Sequence, residues 1–221
     1  MHDEFVLKLL DAPDARLIIA RVQAILDDET QRRRSFYEWL RDDVKAEFIN
    51  GEVIMHSPVR RGHLRASKYL FKLLDEYIEH NDLGEADVEK ALITLTRNDY
   101  EPDICFWRKE IADTFTDDTM QHPAPDLVVE VLSKSTAKRD RGIKFEDYAA
   151  HGVAEYWLVD PHRQVVEQYT LDEKFMAFAA VGTFGLADQI TAASLPGFSI
   201  PVRAIFERAA NRATLQALLQ G

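Results

Sequence analysis

The spacing of apolar residues along the chain predicts a series of amphipathic helices. Leucine, isoleucine and valine recur every three or four positions over residues 15–28, 62–80 and 203–219. A shorter helix is predicted over residues 36–41 with Ser35 as its N-cap, after a solvated connector formed by Arg32, Arg33 and Arg34. A further helix is expected over residues 137–150, where Gly152 ends it.

Alternating and continuous apolar runs predict the strands. Asn50-Gly51 separates the runs 45–49 and 52–57, which indicates a tight hairpin because both turn residues tolerate positive φ. Further strands are expected over residues 88–96, 100–107 and 127–132, and then a second hairpin with a third strand over residues 156–159, 165–171 and 175–181. The order of elements predicts the α/β class, in the form of an α+β mixed sheet with helices flanking both faces.

Composition and charge narrow the class of protein. The chain has 221 residues, 46% of them hydrophobic, which is enough for one ordinary core. A net charge of -11 argues against non-specific coating of nucleic acid, although it leaves room for a local basic groove. Cys105 is the single cysteine, so one chain cannot form a disulfide framework or a cysteine zinc cluster. Residues 1–10 lack the pattern of a signal peptide and no apolar run is long enough for a membrane span, so a cytoplasmic protein with no membrane partner is expected.

Glu130 is the residue that the apolar pattern does not explain. It lies inside the run 127–132, where a carboxylate is costly unless it is paired, hydrogen-bonded or bound to metal. Asp103 follows Pro102 at the start of the preceding strand. Two carboxylates on neighbouring strands could supply the oxygen ligands that Mg²⁺ prefers, although Asp103 could equally be a satisfied structural carboxylate.

A cluster of cations follows Glu130. Asp140, Lys144 and Tyr148 are spaced at i, i+4 and i+8, so they form one helical stripe that could face back towards the strand end. Lys144 could position a water and offset charge in phosphoryl transfer. The alternative is that Lys144 is a solvated lysine on the surface of the helix. The same segment forms a positive patch suited to phosphate, made of Lys134, Lys138, Arg139 and Arg141.

Two further positions leave alternatives open. Glu47 and Glu52 lie diagonally on one face of the predicted hairpin, either as solvated edge carboxylates or with one of them as a third metal ligand. His63 stands at the start of the helix over residues 62–80, where a cap or surface position is favoured over a place in the site.

An ordered series of short motifs runs through residues 47–161, within a resemblance that covers roughly residues 36–206. The motifs are Glu-Phe-Ile-Asn-Gly-Glu-Val (47–53), Ser57-Pro58, Glu-Pro-Asp (101–103), Pro-Asp-Leu-Val-Val-Glu-Val-Leu-Ser (125–133), Ser135-Thr136, Asp140, Lys-Phe-Glu-Asp-Tyr (144–148) and Gly-Val-Ala-Glu-Tyr-Trp-Leu-Val-Asp-Pro (152–161). Together they resemble the Uma-two family of putative restriction endonucleases, which belongs to the PD-(D/E)XK nuclease superfamily.

The resemblance implies a restriction-endonuclease-like core, which we assign to residues 35–221. Residues 1–34, which the resemblance does not cover, are expected to form an N-terminal helical extension. It implies a site that uses Mg²⁺ or Mn²⁺ to hydrolyse DNA, with Asp103 and Glu130 as metal ligands and the carbonyl of Val131 as an extra one. The superfamily pattern asks for a lysine two positions after Glu130, but Leu132 stands there. The resemblance therefore implies that Lys144 takes the lysine's catalytic part, and it also allows a homodimer.

Three hypotheses of different classes follow. The first is a metal-dependent endonuclease whose four basic residues, Lys134, Lys138, Arg139 and Arg141, contact DNA phosphates. The second is a non-catalytic binding or assembly module on the same scaffold, which the charge of -11 and Leu132 favour. The third is a hydrolase that uses its carboxylate pair on sugars. The cations after Glu130 favour a substrate that carries phosphate over a sugar.

Overall fold

The computed structural model describes residues 2–41 and 43–220. Met1, Asp42 and Gly221 lie outside the described residues. The first residue of the predicted extension, Met1, and the last residue of the predicted nuclease-like domain, Gly221, are therefore not described. The helices are α1 (His2–Leu10), α2 (Ala15–Trp39), α3 (Arg61–His80), α4 (Lys109–Ala112), α5 (Ala137–Asp140), α6 (Ile143–Ala150), α7 (Arg203–Phe206) and α8 (Arg208–Leu218). None of the described helices combines the length and apolar character that a bilayer crossing requires.

The strands are β1 (Ala46–Ile49), β2 (Glu52–Met55), β3 (Gly84–Val88), β4 (Leu92–Thr94), β5 (Asp99–Tyr100), β6 (Ile104–Arg108), β7 (Gln121–His122), β8 (Leu127–Val131), β9 (Glu155–Asp160), β10 (Val165–Asp172), β11 (Ala177–Phe184), β12 (Gln189–Thr191) and β13 (Ser199–Pro201). The larger sheet has the order β11-β10-β9-β8-β6-β3, and the smaller one β2-β1-β5-β4-β7. The pairs β8–β9 and β4–β7 are parallel, whereas the other neighbours in these two sheets are antiparallel. The predicted mixed α+β architecture is confirmed, although the sequence did not reveal that its strands divide between these two sheets and a third, two-stranded sheet, β12-β13.

Strand β8 is the central element, because both of its faces are covered. On one face, Val129 packs in a core with Leu70 and Leu74 of α3 and Ile205 of α7. On the other face, Val128 packs in a second core that contains Tyr148 of α6 and residues of the smaller sheet. Glu130 shares the face of Val128 by strand alternation. The carboxylate therefore points into the layer between the larger sheet, α6 and the smaller sheet.

The first hairpin forms as its turn residues require. Asn50 and Gly51 have φ of 50° and 82°, and β1 and β2 pair with Glu47 opposite Ile54 and Ile49 opposite Glu52. This register is the one that a two-residue Asn-Gly loop predicts, so the hairpin prediction is confirmed.

Helix α2 corrects the prediction for the N-terminal part. It runs without interruption through residues 15–39, which contain no glycine or proline, so the separate helix 36–41 and its Ser35 cap are wrong. The predicted connector is also wrong, because all three arginines lie within α2. Arg32 and Arg34 are exposed as expected, whereas Arg33 forms a salt bridge with the buried Asp99. The predicted boundary between residues 34 and 35 falls inside this continuous helix, and the division into two domains stays a prediction.

Four predicted elements are each divided in two. The run 88–96 belongs partly to β3 of the larger sheet and partly to β4 of the smaller sheet, and the run 100–107 supplies β5 and β6 in the same way. The predicted helix 137–150 breaks at Gly142, whose ψ of -107° is not helical, and the helix 203–219 breaks at Glu207. The chain thus crosses between the two sheets just before Asp103, which places that residue where the sheets meet.

Candidate active site

Asp103 and Glu130 lie side by side where β6 and β8 pair. Ile104 is opposite Val129 in the antiparallel ladder, and one further step in this register brings Asp103 opposite Glu130. The Oδ2 atom of Asp103 accepts a hydrogen bond of 2.7 Å from the backbone N–H of Val131, which fixes the carboxylate against β8. Glu130 is 4% exposed and Asp103 8%. The two carboxylates that the sequence singled out therefore share one buried place in the fold.

Lys144 reaches the same place from the first turn of α6. Its Nζ atom lies 2.9 Å from Oε1 of Glu130 and 2.6 Å from Oε1 of Glu47, and it is 3.9 Å from Oδ1 of Asp140. The lysine is 2% exposed, so the alternative of a solvated helix lysine is wrong. The expected stripe of Asp140, Lys144 and Tyr148 faces inward, as all three are buried despite the break at Gly142.

Glu47 brings a third carboxylate from the smaller sheet. It is fully buried on β1, accepts a hydrogen bond from the backbone N–H of Glu101 and has Nε2 of His56 3.3 Å from its Oε2 atom. Glu52, by contrast, is exposed on β2. The two hairpin carboxylates therefore separate: Glu47 lies in the site and Glu52 faces solvent.

His63 also belongs to this place, and its expected position as a cap or surface residue is wrong. It is buried, and its Nε2 atom lies 3.2 Å from Oδ2 of Asp103, while its Nδ1 atom is buried without a hydrogen-bond partner. The sequence did carry a signal for it, because His63 stands three and seven positions before the buried Ala66 and Leu70 on one face of α3.

The electrostatics of the site follow from several buried carboxylates around one ammonium. Burial disfavours the charged form of Lys144, but Glu130, Glu47 and Asp140 outweigh it and hold the pKa of Lys144 well above its usual range. Burial likewise opposes ionisation of Glu47, yet Lys144 and His56 lower the pKa of Glu47 to about 2. The hydrogen bond and charge of His63 outweigh burial at Asp103 and lower its pKa.

The pKa of Glu130 shifts in the opposite direction. Burial raises the pKa of Glu130 well above its ordinary value, and Lys144 offsets only part of this because Asp140, Asp103 and Glu47 repel a further negative charge. Glu47 and Glu130 compete for one ammonium, and Glu47 has the shorter contact and a second partner in His56. Of the two carboxyl groups that contact Lys144, Glu130 is therefore the one whose ionisation its surroundings oppose.

The donor chemistry fits a hard divalent cation. Both carboxylate oxygens of Asp140 are buried without a hydrogen-bond partner, so the site holds more carboxylate oxygens than its lysine satisfies. Across residues 2–41 and 43–220, no three His, Cys, Asp or Glu side chains converge as a ready-made metal-binding group. Mg²⁺ does not need such a group, since one or two carboxylates with waters and phosphate oxygens suffice. Asp103 and Glu130 are the pair that fits this mode.

The basic residues after Glu130 divide into two kinds. Lys134 and Lys138 are exposed, whereas Arg139 is half-buried and its Nε atom has no hydrogen-bond partner. Arg141 forms a two-point salt bridge with Glu167, at 2.5 and 2.8 Å, and thereby lowers the pKa of that carboxyl. Leu132, in the place of the expected lysine, is half-buried and packs against the second core. The cationic side chain in the site thus comes from α6 and not from β8.

In this fold, several carboxylates and one lysine lie where two sheets meet, with helices on both sides. The arrangement is that of the nuclease-like α+β folds. The crystal structure of a protein titled a putative nuclease belonging to DUF820, from Anabaena variabilis ATCC 29413, has this fold. It superposes with a TM-score of 0.65 at 16% sequence identity, over 81% of this chain and 96% of that one. No curated protein matches the chain.

Residues 33–203 match the model of the Uma2 family, which is described as "putative restriction endonuclease". That match covers more than half of the chain, so the chain belongs to the Uma2 family. The resemblance that the sequence motifs indicated is confirmed.

Proposed function

We propose that the chain is an endodeoxyribonuclease that hydrolyses DNA phosphodiester bonds with Mg²⁺ or Mn²⁺. The observation that carries this proposal is the convergence of Asp103, Glu130 and Lys144, which come from three separate elements, in one buried place at the end of β8. A protein that needed only a core would gain stability from apolar side chains there, because buried charges cost several kcal/mol unless they are paired well. Membership of the Uma2 family supports the same reaction class.

Each residue has a distinct part in the proposed reaction. Asp103 and Glu130 would hold the cation, with the carbonyl of Val131 as a further ligand. A bound divalent cation lowers the pKa of a coordinated water and offsets charge on the phosphate. Lys144 has three N–H groups, of which Glu47 and Glu130 engage two, so one remains to orient the attacking water or a phosphate oxygen.

The surroundings of Lys144 support this role. Glu47 and Asp140 keep the ammonium charged, and Tyr100 supports it from another side, since Nζ lies 5.6 Å from the centre of the Tyr100 ring. The side chain is thus held in one orientation before substrate arrives. Such pre-organisation is how fixed charges stabilise a phosphoryl-transfer transition state.

The DNA would approach along the surface that carries Lys134 and Lys138, which are exposed beside the end of β8. Arg139 would also contact a phosphate, whereas Arg141 would first have to leave Glu167. Replacing Lys134 or Lys138 with glutamine is expected to weaken binding of any DNA sequence and to reduce the slope of log K against log salt by about 1.

Cleavage of plasmid and oligonucleotide DNA tests the proposal directly. The chain is incubated with Mg²⁺, Mn²⁺ or EDTA, and Asp103→Asn, Glu130→Gln and Lys144→Met are each expected to lower the cleavage rate by at least about 100-fold. Glu52→Gln is the matched control, because Glu52 lies on the same hairpin as Glu47 but is exposed. An absence of cleavage by the folded wild type, or cleavage that persists in Glu130→Gln, refutes the nuclease proposal.

A second candidate is a nuclease fold that binds without catalysis. The complete burial of Lys144 and its contacts with two carboxylates favour it, because the amine is already engaged within the protein. In that case the wild type would bind DNA or another partner with no cleavage in any divalent cation, and Lys144→Met would impair folding more than binding.

A further inference from the structure

The first half of α3 carries a row of cations on its outer side. Residues 53–74 contain five lysines or arginines and no acidic residue, in a chain whose net charge is -11. All five are exposed, and four of them lie within α3 at successive spacings of four, three and four residues. We call these four the α3 stripe: Arg61, Arg65, Lys68 and Lys72. Arg60, the fifth, is the N-cap residue of the helix.

The spacing places the α3 stripe on one side of the helix. At 3.6 residues per turn, its four side chains fall within about 60° of the circumference and extend over about 16 Å of the helix axis. The opposite side of the same half carries the residues that are buried, which are His63, Ala66, Ser67 and Leu70. The α3 stripe therefore faces away from the core and into solvent.

The α3 stripe has no neutralising anion in the described part of the chain. Within residues 2–41 and 43–220, none of its four side chains forms a salt bridge. Arg61 and Arg65 are like charges four residues apart, as are Lys68 and Lys72, and such pairs repel each other on a helix. The row of cations is therefore unfavourable for the helix by itself.

The charges of α3 are also arranged against the helix dipole. Anions are favourable near the N-terminus of a helix and cations near its C-terminus. In α3 the cations occupy residues 61–72, whereas the carboxylates of Asp75, Glu76 and Glu79 follow towards the C-terminus. Helix stability does not account for this order of charges, whereas binding of an external polyanion does.

The α3 stripe begins beside the candidate active site. His63, in the first turn of α3, has its Nε2 atom 3.2 Å from Oδ2 of Asp103. Arg61 precedes His63 by two residues, so the same turn directs His63 inward to the site and Arg61 outward to solvent. A polyanion bound at the site can therefore continue along the α3 stripe.

The chemistry of the α3 stripe favours the backbone of a nucleic acid. Guanidinium groups match the geometry of phosphate oxygens, and a row of about 16 Å corresponds to about five base pairs of duplex at 3.4 Å each. A membrane surface is disfavoured, because a helix that lies on lipid inserts its apolar face. The apolar face of α3, with Leu70, Leu73 and Leu74, is buried in the core.

We propose that the α3 stripe, with Arg60, binds the phosphate backbone of DNA beside the cleavage site, so that about five base pairs on one side of the cut lie along α3. The choice of DNA as the partner rests on the proposed function, but binding by the α3 stripe requires neither the cation nor the reaction. The α3 stripe is a second contact surface, in addition to the one that carries Lys134 and Lys138.

Binding of a labelled DNA duplex in EDTA, measured by fluorescence anisotropy over a range of salt concentrations, tests the proposal. The stripe variant combines Arg61→Gln, Arg65→Gln, Lys68→Gln and Lys72→Gln. It is expected to bind at least about 10-fold more weakly than wild type at about 0.1 M salt, and to reduce the slope of log K against log salt by about 3–4.

A matched control separates the α3 stripe from the net charge of the protein. The control variant also replaces two arginines and two lysines, at exposed positions outside α3: Lys8→Gln, Arg16→Gln, Arg21→Gln and Lys174→Gln. It has the same net charge as the stripe variant and is expected to bind DNA within about twofold of wild type, because salt screens charges that are far from the bound DNA.

Thermal unfolding followed by circular dichroism verifies that both variants fold. The stripe variant is expected to be at least as stable as wild type, because the repulsion among its cations is removed. An equal loss of binding in the two variants would overturn the proposal in favour of a general effect of net charge. A wild type that binds vesicles of anionic lipid but not DNA would overturn it in favour of a membrane surface.

Cleavage in Mg²⁺, measured separately, distinguishes this proposal from the nuclease proposal. A wild type that binds DNA through the α3 stripe without cutting it refutes the nuclease proposal alone. A wild type that cuts DNA, with a stripe variant that binds as tightly as wild type, refutes the role of the α3 stripe alone.

Discussion

Lys144 has a structural task in the fold, and the chemical task that we propose for it uses the same side chain. It is buried against the carboxylates of Glu47, Glu130 and Asp140, which we call the carboxylate cage. Removing the amine leaves these groups in a low-dielectric place without the ammonium that they share. The free energy of folding and the proposed reaction therefore depend on the same contact.

We expect Lys144→Met to lower the free energy of unfolding by about 3–5 kcal/mol at pH 8, since the substitution breaks a buried ion pair from one side. Urea denaturation measures the change, and Lys138→Met, at an exposed position of the same segment, is expected to change it by less than about 0.5 kcal/mol. Equal effects of the two variants would contradict the role of the carboxylate cage.

The cost of Lys144→Met should also depend on pH. The pKa of Glu47 falls from an ordinary value of 4.5 to about 2 in the folded protein, where Lys144 favours its charged form. Stability from such a lowered pKa is fully present above the unfolded value and is lost as pH falls towards the folded one. The difference between wild type and variant should therefore be largest above pH 4.5 and should shrink from pH 4.5 towards pH 2.

Glu101 should behave in the opposite sense. Burial raises the pKa of Glu101 to about 7, because Lys45 offsets only part of the cost and Glu47 adds repulsion. Ionisation of this carboxyl group thus destabilises the fold progressively between its unfolded value of 4.5 and pH 7. We expect Glu101→Gln to stabilise the protein by about 1–2 kcal/mol at pH 8 and to have little effect at pH 4, measured by thermal unfolding at both pH values. The exposed Glu146→Gln serves as the control, and a Glu101→Gln variant that is less stable than wild type at pH 8 would refute this account.

Sequence reasoning found part of this residue network. Two local signals were sufficient to predict that Glu130, Asp140 and Lys144 lie together. The first is a glutamate inside an apolar strand, and the second is the i, i+4 spacing of Asp140 and Lys144. Glu47 and His63 were not assigned to the site, since local spacing gives the face on which a side chain lies but not what packs against that face. Their places depend on the contact between two sheets and on the position of α3, which are tertiary properties.

Among the elements, α2 is linked to the body partly through the ion pair between Arg33 and the buried Asp99. Arg33 contacts both carboxylate oxygens of Asp99, at 2.6 and 2.7 Å, and Tyr37 donates to the same group. Asp99 is fully buried on β5 of the smaller sheet. The neighbouring Asn98 side chain donates to Asp147 of α6, so this anchor stands close to the helix that carries Lys144.

We expect Arg33→Met to destabilise the protein by about 3–5 kcal/mol, because it leaves the Asp99 carboxylate buried without its cation. Arg34→Met, one residue further along the helix and exposed, should change stability by no more than about 0.5 kcal/mol. Chemical denaturation of both variants provides the comparison, and a loss below about 1 kcal/mol for Arg33→Met would show that α2 is held chiefly by its apolar contacts.

Element boundaries were predicted well where a local signal exists and poorly where packing decides. The Asn50-Gly51 hairpin and the second hairpin, β9–β10, have turn residues that fix them. The three consecutive arginines at positions 32–34 suggested a solvated connector, but charge does not break a helix, and only glycine, proline or a cap would have done so. The division of residues 84–108 between two sheets is not visible in the alternation of apolar residues, because the residues of β4, β5 and β6 are mostly buried whichever way their side chains point.

At the scale of the whole molecule, binding of a divalent cation should stabilise the fold. Any ligand that binds the folded state alone raises stability by mass action, by roughly 2.7 kcal/mol at a concentration 100 times its dissociation constant. We expect Mg²⁺ or Mn²⁺ to raise the unfolding temperature of the wild type, and Asp103→Asn and Glu130→Gln to abolish the increase. Glu52→Gln should retain it, and an equal increase in all four proteins would mean that the ion binds elsewhere.

The overall architecture was the most predictable level. The order of helices and strands, together with the continuous apolar run of β8, indicated a mixed sheet covered on both faces, and this is confirmed. The smaller sheet was not foreseen, because its strands are short and come from separated stretches of the chain. The seam between the two sheets, where Glu47 meets Lys144, could only be seen in three dimensions.

The carboxylate cage also bears on how related sequences diverge. Its acids come from both sheets and from the helix beside them, so a lineage that no longer needs the reaction cannot discard Lys144 alone without a loss of stability. Replacement of the acids by apolar residues has to accompany the loss of the lysine, and the order of substitutions is constrained. We therefore expect Glu47, Glu130 and Lys144 to be kept or lost as a group among descendants of a common ancestor, with intermediates that retain unpaired acids being rare.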